Sequence, residues 1–121
     1  MSHFPYSIPE SRPLSEQERV IVRHLLLHTA PDRVDELERL SVVERCGCGR
    51  CPTILFVPHD ETTENRNRIV ADFVGGENST VGVIVWERDG VLAELEAWSL
   101  DGNDVTSWPA VSSLRPFTRP V

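Results

Sequence analysis

The sequence lacks several features that define common classes of protein. Its longest apolar run falls well short of the ~18 residues that a membrane-spanning helix requires, so we expect no membrane segment. The N-terminal residues do not combine a basic start with an apolar stretch, which predicts a cytoplasmic protein without a secretory signal. Thiols stay reduced in the cytoplasm, so no structural disulfide is expected.

Positive charge is also scarce. Nineteen acidic and twelve basic side chains give a formal net charge of -7, and this sign repels phosphate backbones. The basic residues are scattered arginines, without the stripe or the interleaved aromatic residues of a single-strand binder. The composition therefore predicts no nucleic-acid partner, and an acidic surface that suits either solubility or a basic protein partner.

What the sequence does contain is enough for one folded domain. Its 121 residues are 40% apolar and 26% charged, which is ordinary for a globular chain that can bury a core. Three prolines fall in residues 1–13 and three more in residues 109–121. Both ends are therefore predicted to be extended arms, on either side of a single domain at residues 14–108.

Two helices are predicted at the start of this domain. Ser15 can cap the first helix, and Glu18 three residues later completes a capping box. A broad apolar face then continues to about Thr29. Pro31 fits the first position of a shorter second helix, in which apolar residues recur at spacings of three.

The period of the apolar residues changes to two after Leu40, which predicts about five strands. The predicted strands cover residues 42–48, 53–57, 68–74, 80–88 and 91–100. Helices followed by consecutive strands predict an α+β fold, in which two N-terminal helices pack on one face of a mainly antiparallel sheet.

The dipeptide Asp89-Gly90 predicts a two-residue type I′ turn between the last two strands. Such a turn determines which residues pair across the hairpin. The pairs expected on the face that receives the helices are Trp86 with Ala93, Ile84 with Leu95 and Gly82 with Ala97.

The opposite face of this hairpin is the predicted interaction surface. It combines apolar side chains with two carboxylates at its rim and comprises Val81, Val83, Val85, Glu94, Glu96 and Trp98. Such a patch can receive a protein partner or a second copy of the chain. The two carboxylates could instead act as acid and base, but a solvated sheet face produces the same pattern, and no catalytic residue is predicted.

All three cysteines lie in one short segment, CGCGRC. The glycine and arginine between the last two cysteines fit a two-residue hairpin turn, which would place all three sulfurs on one face. The C-x-C-x-x-C spacing supplies three of the four ligands of a structural zinc site. The candidate ligands are Cys46, Cys48 and Cys51.

Three interpretations of this cluster are open. The cysteines can be buried free thiols that pack as small hydrophobic residues. They can bind zinc, with His59 as the preferred fourth ligand and His3, His24, His28 or a second chain as alternatives. Against zinc, Pro52 has no amide hydrogen to donate to a ligand sulfur. Redox or nucleophilic chemistry is the third interpretation, but nothing in the sequence orients a catalytic triad, and the cysteines lie between strands and not at the start of a helix.

Three segments together resemble a family of small bacterial proteins of unknown function. They are Arg12-Pro13-Leu14, Cys46-Gly47-Cys48-Gly49 and the G-x-L-x-E-L-E pattern of residues 90–96. The family is similar in its R-P-L start, its C-x-C-G-C-like centre and its final hairpin, over about residues 12–109. Arg50, which precedes the third cysteine, departs from that pattern. The resemblance implies a bacterial cytosolic domain and no activity.

The sequence favours a non-enzymatic protein-interaction domain that binds a partner or forms a homodimer, without a cofactor. The alternative is a zinc-binding protein that uses Cys46, Cys48 and Cys51 together with His59. A narrower hypothesis is an immunity-type role, in which this acidic domain neutralises a basic toxin.

Overall fold

The computed structural model describes residues 7–48, 50–59 and 66–117. It contains one α-helix, α1 (Glu16–Thr29), followed by a 3-10 helix (Pro31–Arg39) and two short 3-10 turns. The strands are β1 (Ser7–Pro13), β2 (Ser41–Cys46), β3 (Ile54–Leu55), β4 (Asn67–Gly75), β5 (Val81–Arg88), β6 (Val91–Ser99) and β7 (Arg115–Pro116). Within these ranges, no helix has the length and apolar character needed to cross a membrane.

The seven described strands form one antiparallel sheet in the order β1-β2-β3-β6-β5-β4-β7. The α+β class fits this architecture, but the prediction of about five strands is wrong. Both additional strands lie in the proline-containing segments that the sequence predicted as arms. Proline cannot donate a ladder hydrogen bond, but it is tolerated on an edge strand, and β1 and β7 are the outermost described strands.

The capping box predicted for α1 is confirmed. The backbone N–H of Glu18 donates to Ser15 Oγ at 3.1 Å, and the backbone N–H of Ser15 donates to Glu18 Oε1 at 2.8 Å. Arg12 on β1 adds a two-pronged bond to the same carboxylate, at 2.8 and 3.0 Å, and so joins the edge strand to the start of the helix. The buried side chains of α1 contribute to the main core and are Ile21, Val22, Leu25 and Leu26.

The second helix begins at Pro31, as predicted, but it is a 3-10 helix. Its apolar residues recur every three positions, and three residues per turn place them on one side. Arg33 attaches this helix to the β5–β6 hairpin through an ion pair with Glu87 and a 2.9 Å hydrogen bond to the carbonyl of Gly90.

The type I′ turn between β5 and β6 is confirmed, since Asp89 and Gly90 have φ values of 53° and 84°. The predicted register holds only beside the turn. A β-bulge at Ala93 shifts the pairing by one residue, so that Trp86 pairs with Glu94. The carbonyl of Ala93 instead accepts a 2.8 Å hydrogen bond from the N–H of Phe56, which follows β3.

The bulge changes which residues of β5 face the helices. The predicted pairs are wrong, because Ile84 lies opposite Glu96 and Gly82 lies opposite Trp98. The side of the sheet that joins the core with α1 carries Val83, Val85, Leu95 and Ala97. Directly paired residues share a face, so the opposite side, here called the far side, carries Gly82, Ile84, Trp86, Glu94, Glu96 and Trp98.

Candidate functional site

The cysteine cluster lies where β2 ends and the chain returns toward β3. The backbone N–H of Cys46 donates to the carbonyl of Thr53 at 3.1 Å, which places these residues side by side, as the turn predicted. Thr53 is fully buried, and its hydroxyl accepts a 3.0 Å hydrogen bond from the N–H of Ala97. The base of the cluster is therefore attached to the central strand β6. The predicted turn includes Gly49, which lies outside the described residues.

The three sulfurs converge on one point. The Sγ atom of Cys48 lies 3.2 Å from that of Cys46 and 3.5 Å from that of Cys51, and all three lie within 4.8 Å of one another. Cys46 is buried and packs with Leu55 of β3, Cys51 is half-buried, and Cys48 is exposed. The cluster thus has a buried base and an open mouth. These three side chains could bind a metal ion.

Backbone donors stabilise negative charge on the middle sulfur. The N–H groups of Arg50 and Cys51 both donate to Cys48 Sγ at 3.3 Å. Burial alone would raise the pKa of Cys48, but these donors and the neighbouring thiols lower that pKa to about 7. Burial raises the pKa of Cys46 to about 12. Because the donors precede Pro52, its missing N–H is no obstacle to a thiolate site.

Three of the histidines predicted as a fourth ligand lie in the described part of the chain, and they do not join the sulfurs. Among the described residues, the cluster contains no histidine or carboxylate. The backbone N–H of His59 donates instead to Glu44 Oε1 at 2.8 Å. The rings of His24 and His28 contact each other at a tilt of 44° along α1, with centroids 4.4 Å apart, and His3 lies outside the described residues. Three protein ligands leave a fourth position of a tetrahedral ion for water or another ligand.

The predicted interaction surface is divided between the two sides of the sheet. Val83 and Val85 are fully buried in the core, and Val81 is half-buried beside it. The remaining three residues of that surface, Glu94, Glu96 and Trp98, lie on the far side. All six residues were grouped because side chains alternate along a regular strand, and the sequence gives no sign of the bulge that breaks this alternation.

The far side adds Trp86 and Asp72 to the acidic and aromatic residues that the sequence had grouped, which are Glu94, Glu96 and Trp98. Trp86 Nε1 donates to Glu96 Oε1 at 2.7 Å, and Asp72 of β4 lies opposite Ile84, the partner of Glu96. Burial, with a smaller contribution from Glu96, raises the pKa of Glu94 to about 8. Burial also raises the pKa of Glu96. The environment of Glu94 thus holds a proton at neutral pH that a surface carboxylate releases.

The cysteine cluster lies on this same side of the sheet. Leu55, which packs with Cys46 and Cys51, is the direct strand partner of Glu94. Trp98 follows Ala97 on β6, and its ring meets that of Phe117 edge-on, with centroids 6.4 Å apart. The far side thus carries a thiol cluster, two carboxyl groups with raised pKa values and an aromatic pair.

The fold and the site define an α+β protein with a three-thiol cluster beside a seven-stranded sheet. No protein-family model matches the chain, and comparisons with curated proteins and with solved structures give no significant match. The resemblance to the small bacterial family therefore stays a prediction.

Proposed function

We propose that this protein binds zinc through Cys46, Cys48 and Cys51. The observation that carries the proposal is the convergence of three Sγ atoms, which lie within 4.8 Å of one another. Cys48 is exposed and Cys51 is half-buried, so the cluster is open to solvent. Thiolates are preferred ligands of zinc and of other soft ions such as Cu(I). The two backbone donors to Cys48 support the charged form that a metal requires.

Among the described residues, the proposed ion has three ligands, and its fourth position is open to a further ligand. His59, the fourth ligand expected from the sequence, donates its backbone N–H to Glu44 and does not join the sulfurs. A zinc site with three protein ligands keeps an open position, which is the arrangement of sites that bind water or a further ligand.

The protein-interaction function and the homodimer have less support. Both depended on a continuous patch that included Val83 and Val85, and these side chains are buried in the core. The immunity-type role depended on net acidity alone.

The test is a zinc titration of the reduced, metal-free protein against a competing chromophoric chelator. We expect one zinc ion per chain. Cys48→Ser removes the ligand at the centre of the cluster, so its affinity should fall by more than the about 10–100-fold typical of losing an outer-shell partner.

Arg50→Gln is the matched control, because it changes a neighbouring side chain and keeps the backbone N–H that donates to Cys48. Its zinc affinity should stay close to that of the wild type. Absence of stoichiometric zinc, or equal affinity in the Cys48→Ser variant, would overturn the proposed function.

A further inference from the structure

The positions of Cys48 and Cys51 suit a second kind of chemistry, which needs no metal. Their Sγ atoms are 3.5 Å apart, and a disulfide bond is about 2.0 Å long, so a small side-chain rotation would bring them into bonding distance. Two residues separate them, which is the spacing of thiol-exchange motifs. Cys48 is exposed and Cys51 is half-buried, so an oxidant can reach both.

Cys46 is less suited to this reaction, although its Sγ atom is nearer to Cys48, at 3.2 Å. Only 4% of Cys46 is exposed, and it packs against Leu55. Its backbone N–H is bonded to Thr53 at the end of the β2–β3 pairing. The residue is therefore held in the sheet, whereas Cys48 and Cys51 lie in the loop.

We infer that Cys48 and Cys51 form a dithiol pair that a peroxide oxidises to an intramolecular disulfide. The Cys48 sulfur attacks one peroxide oxygen, the O–O bond breaks, and the leaving hydroxide takes a proton to become water. Cys51 then attacks the sulfenic sulfur of Cys48, the S–O bond breaks, and the second oxygen leaves as water with the proton of Cys51. Two thiols lose two electrons and two protons, and one peroxide becomes two waters.

The disulfide would also remove two of the three zinc ligands. Oxidation and zinc binding would then exclude each other, and zinc would protect the thiols from peroxide. This exclusion rests on the proposed zinc site, whereas formation of the disulfide does not.

The position of the arginines makes the disulfide easy to identify. Tryptic cleavage after Arg45, Arg50 and Arg66 separates residues 46–50, with two cysteines, from residues 51–66, with the third. A bond between Cys48 and Cys51 joins the two peptides. A bond between Cys46 and Cys48 stays inside the first peptide.

The experiment treats the metal-free full chain with an equimolar amount of hydrogen peroxide, blocks the remaining thiols and maps the peptides by mass spectrometry. We expect a monomer in which the two peptides are linked, and release of the link by a dithiol reductant. Cys46→Ser should keep the linked product, and Cys48→Ser should lose it. A closed loop within residues 46–50, a link that disappears in Cys46→Ser, or over-oxidation without any disulfide would overturn the inference.

Zinc-loaded protein in the same assay separates this inference from the proposed function. If the metal-free chain forms the disulfide, and zinc neither binds nor protects the thiols, the dithiol pair is supported and the zinc site is refuted. If zinc binds with the expected stoichiometry and no disulfide forms in the metal-free chain, the dithiol pair alone is refuted.

Discussion

Glu94 has surroundings that differ strongly from those of a surface carboxylate. It lies on the far side of the central strand β6, between its strand partners Leu55 and Trp86. The charged groups that act on it within the described part of the chain are Glu96 on the same strand and Arg88 at the end of β5. Burial is the largest influence, and it favours the protonated form.

This environment predicts that stability falls as pH rises. Below about pH 4.5, the ordinary pKa, Glu94 is protonated in both states; from there to about pH 8, only the unfolded chain has lost the proton. Loss of this proton stabilises the unfolded state relative to the folded state, so the free energy of unfolding falls as pH rises across that window. A tenfold change in proton affinity is worth about 1.4 kcal/mol, so the free energy of unfolding of the wild type should fall by a few kcal/mol across the window.

Glu94→Gln should remove most of this loss, because an amide of similar shape carries no charge to bury. Urea unfolding at several pH values measures the effect, with the exposed Glu77→Gln as the control expected to follow the wild type. A Glu94→Gln curve parallel to that of the wild type would contradict the assignment.

At the scale of elements, the β5–β6 hairpin depends on a close contact between Gly82 and Trp98. These residues are direct partners, and a Cβ atom on Gly82 would lie 2.0 Å from Trp98 Nε1. The indole ring therefore occupies the space that any other residue at position 82 would need.

Gly82→Ala should destabilise the protein by about 1–3 kcal/mol, the usual cost of overpacking a filled site. Chemical denaturation of Gly82→Ala, Trp98→Ala and the double variant tests the cause. Once the indole is gone, the added methyl group has room, so the double variant should be more stable than the sum of the two single losses predicts. Additive losses would show that the contact is not the cause.

Some elements follow from neighbouring residues alone, and others do not. The capping box of α1 and the turn at Gly90 were predictable because adjacent residue types specify them. The bulge at Ala93 was not, since it is accompanied by a hydrogen bond from Phe56, far away in the chain. Nothing in the local sequence distinguishes Ala93 from an ordinary strand residue. Strand β1 was missed because its prolines suggest an arm until a partner strand is known.

The cysteine cluster was predictable in its membership but not in its surroundings. Three cysteines so close in sequence must lie near one another in any fold. The hydrogen bonds from Arg50 and Cys51 to Cys48 depend on the loop conformation, and the sequence indicated only that Pro52 could not donate. The position of His59 likewise depends on tertiary contacts, such as the bond from its backbone N–H to Glu44, that the local sequence does not indicate.

For the whole molecule, zinc binding should raise the melting temperature. A ligand at 100 times its dissociation constant adds about 2.7 kcal/mol if it binds the folded state alone, which is on the order of 10 °C for a domain of this size. The unfolded chain can also bind zinc because the three ligands are close in sequence, so the observed shift should be smaller than this limit.

Calorimetry of the reduced protein with and without zinc measures the shift, and Cys48→Ser should show little of it. No shift in a wild type that binds zinc stoichiometrically would mean that the folded structure does not organise the site.

The two outermost described strands have a consequence for the protein in concentrated solution. Pro9 and Pro13 interrupt the amides of β1, whose pairing also shifts between Pro9 and Arg12, and Pro116 occupies half of the two-residue β7. Long, regular edges are the templates on which filaments grow. An interrupted edge such as β1 and a short edge such as β7 give an incoming chain little to extend, so crowded molecules should remain separate particles rather than join edge to edge into fibrils.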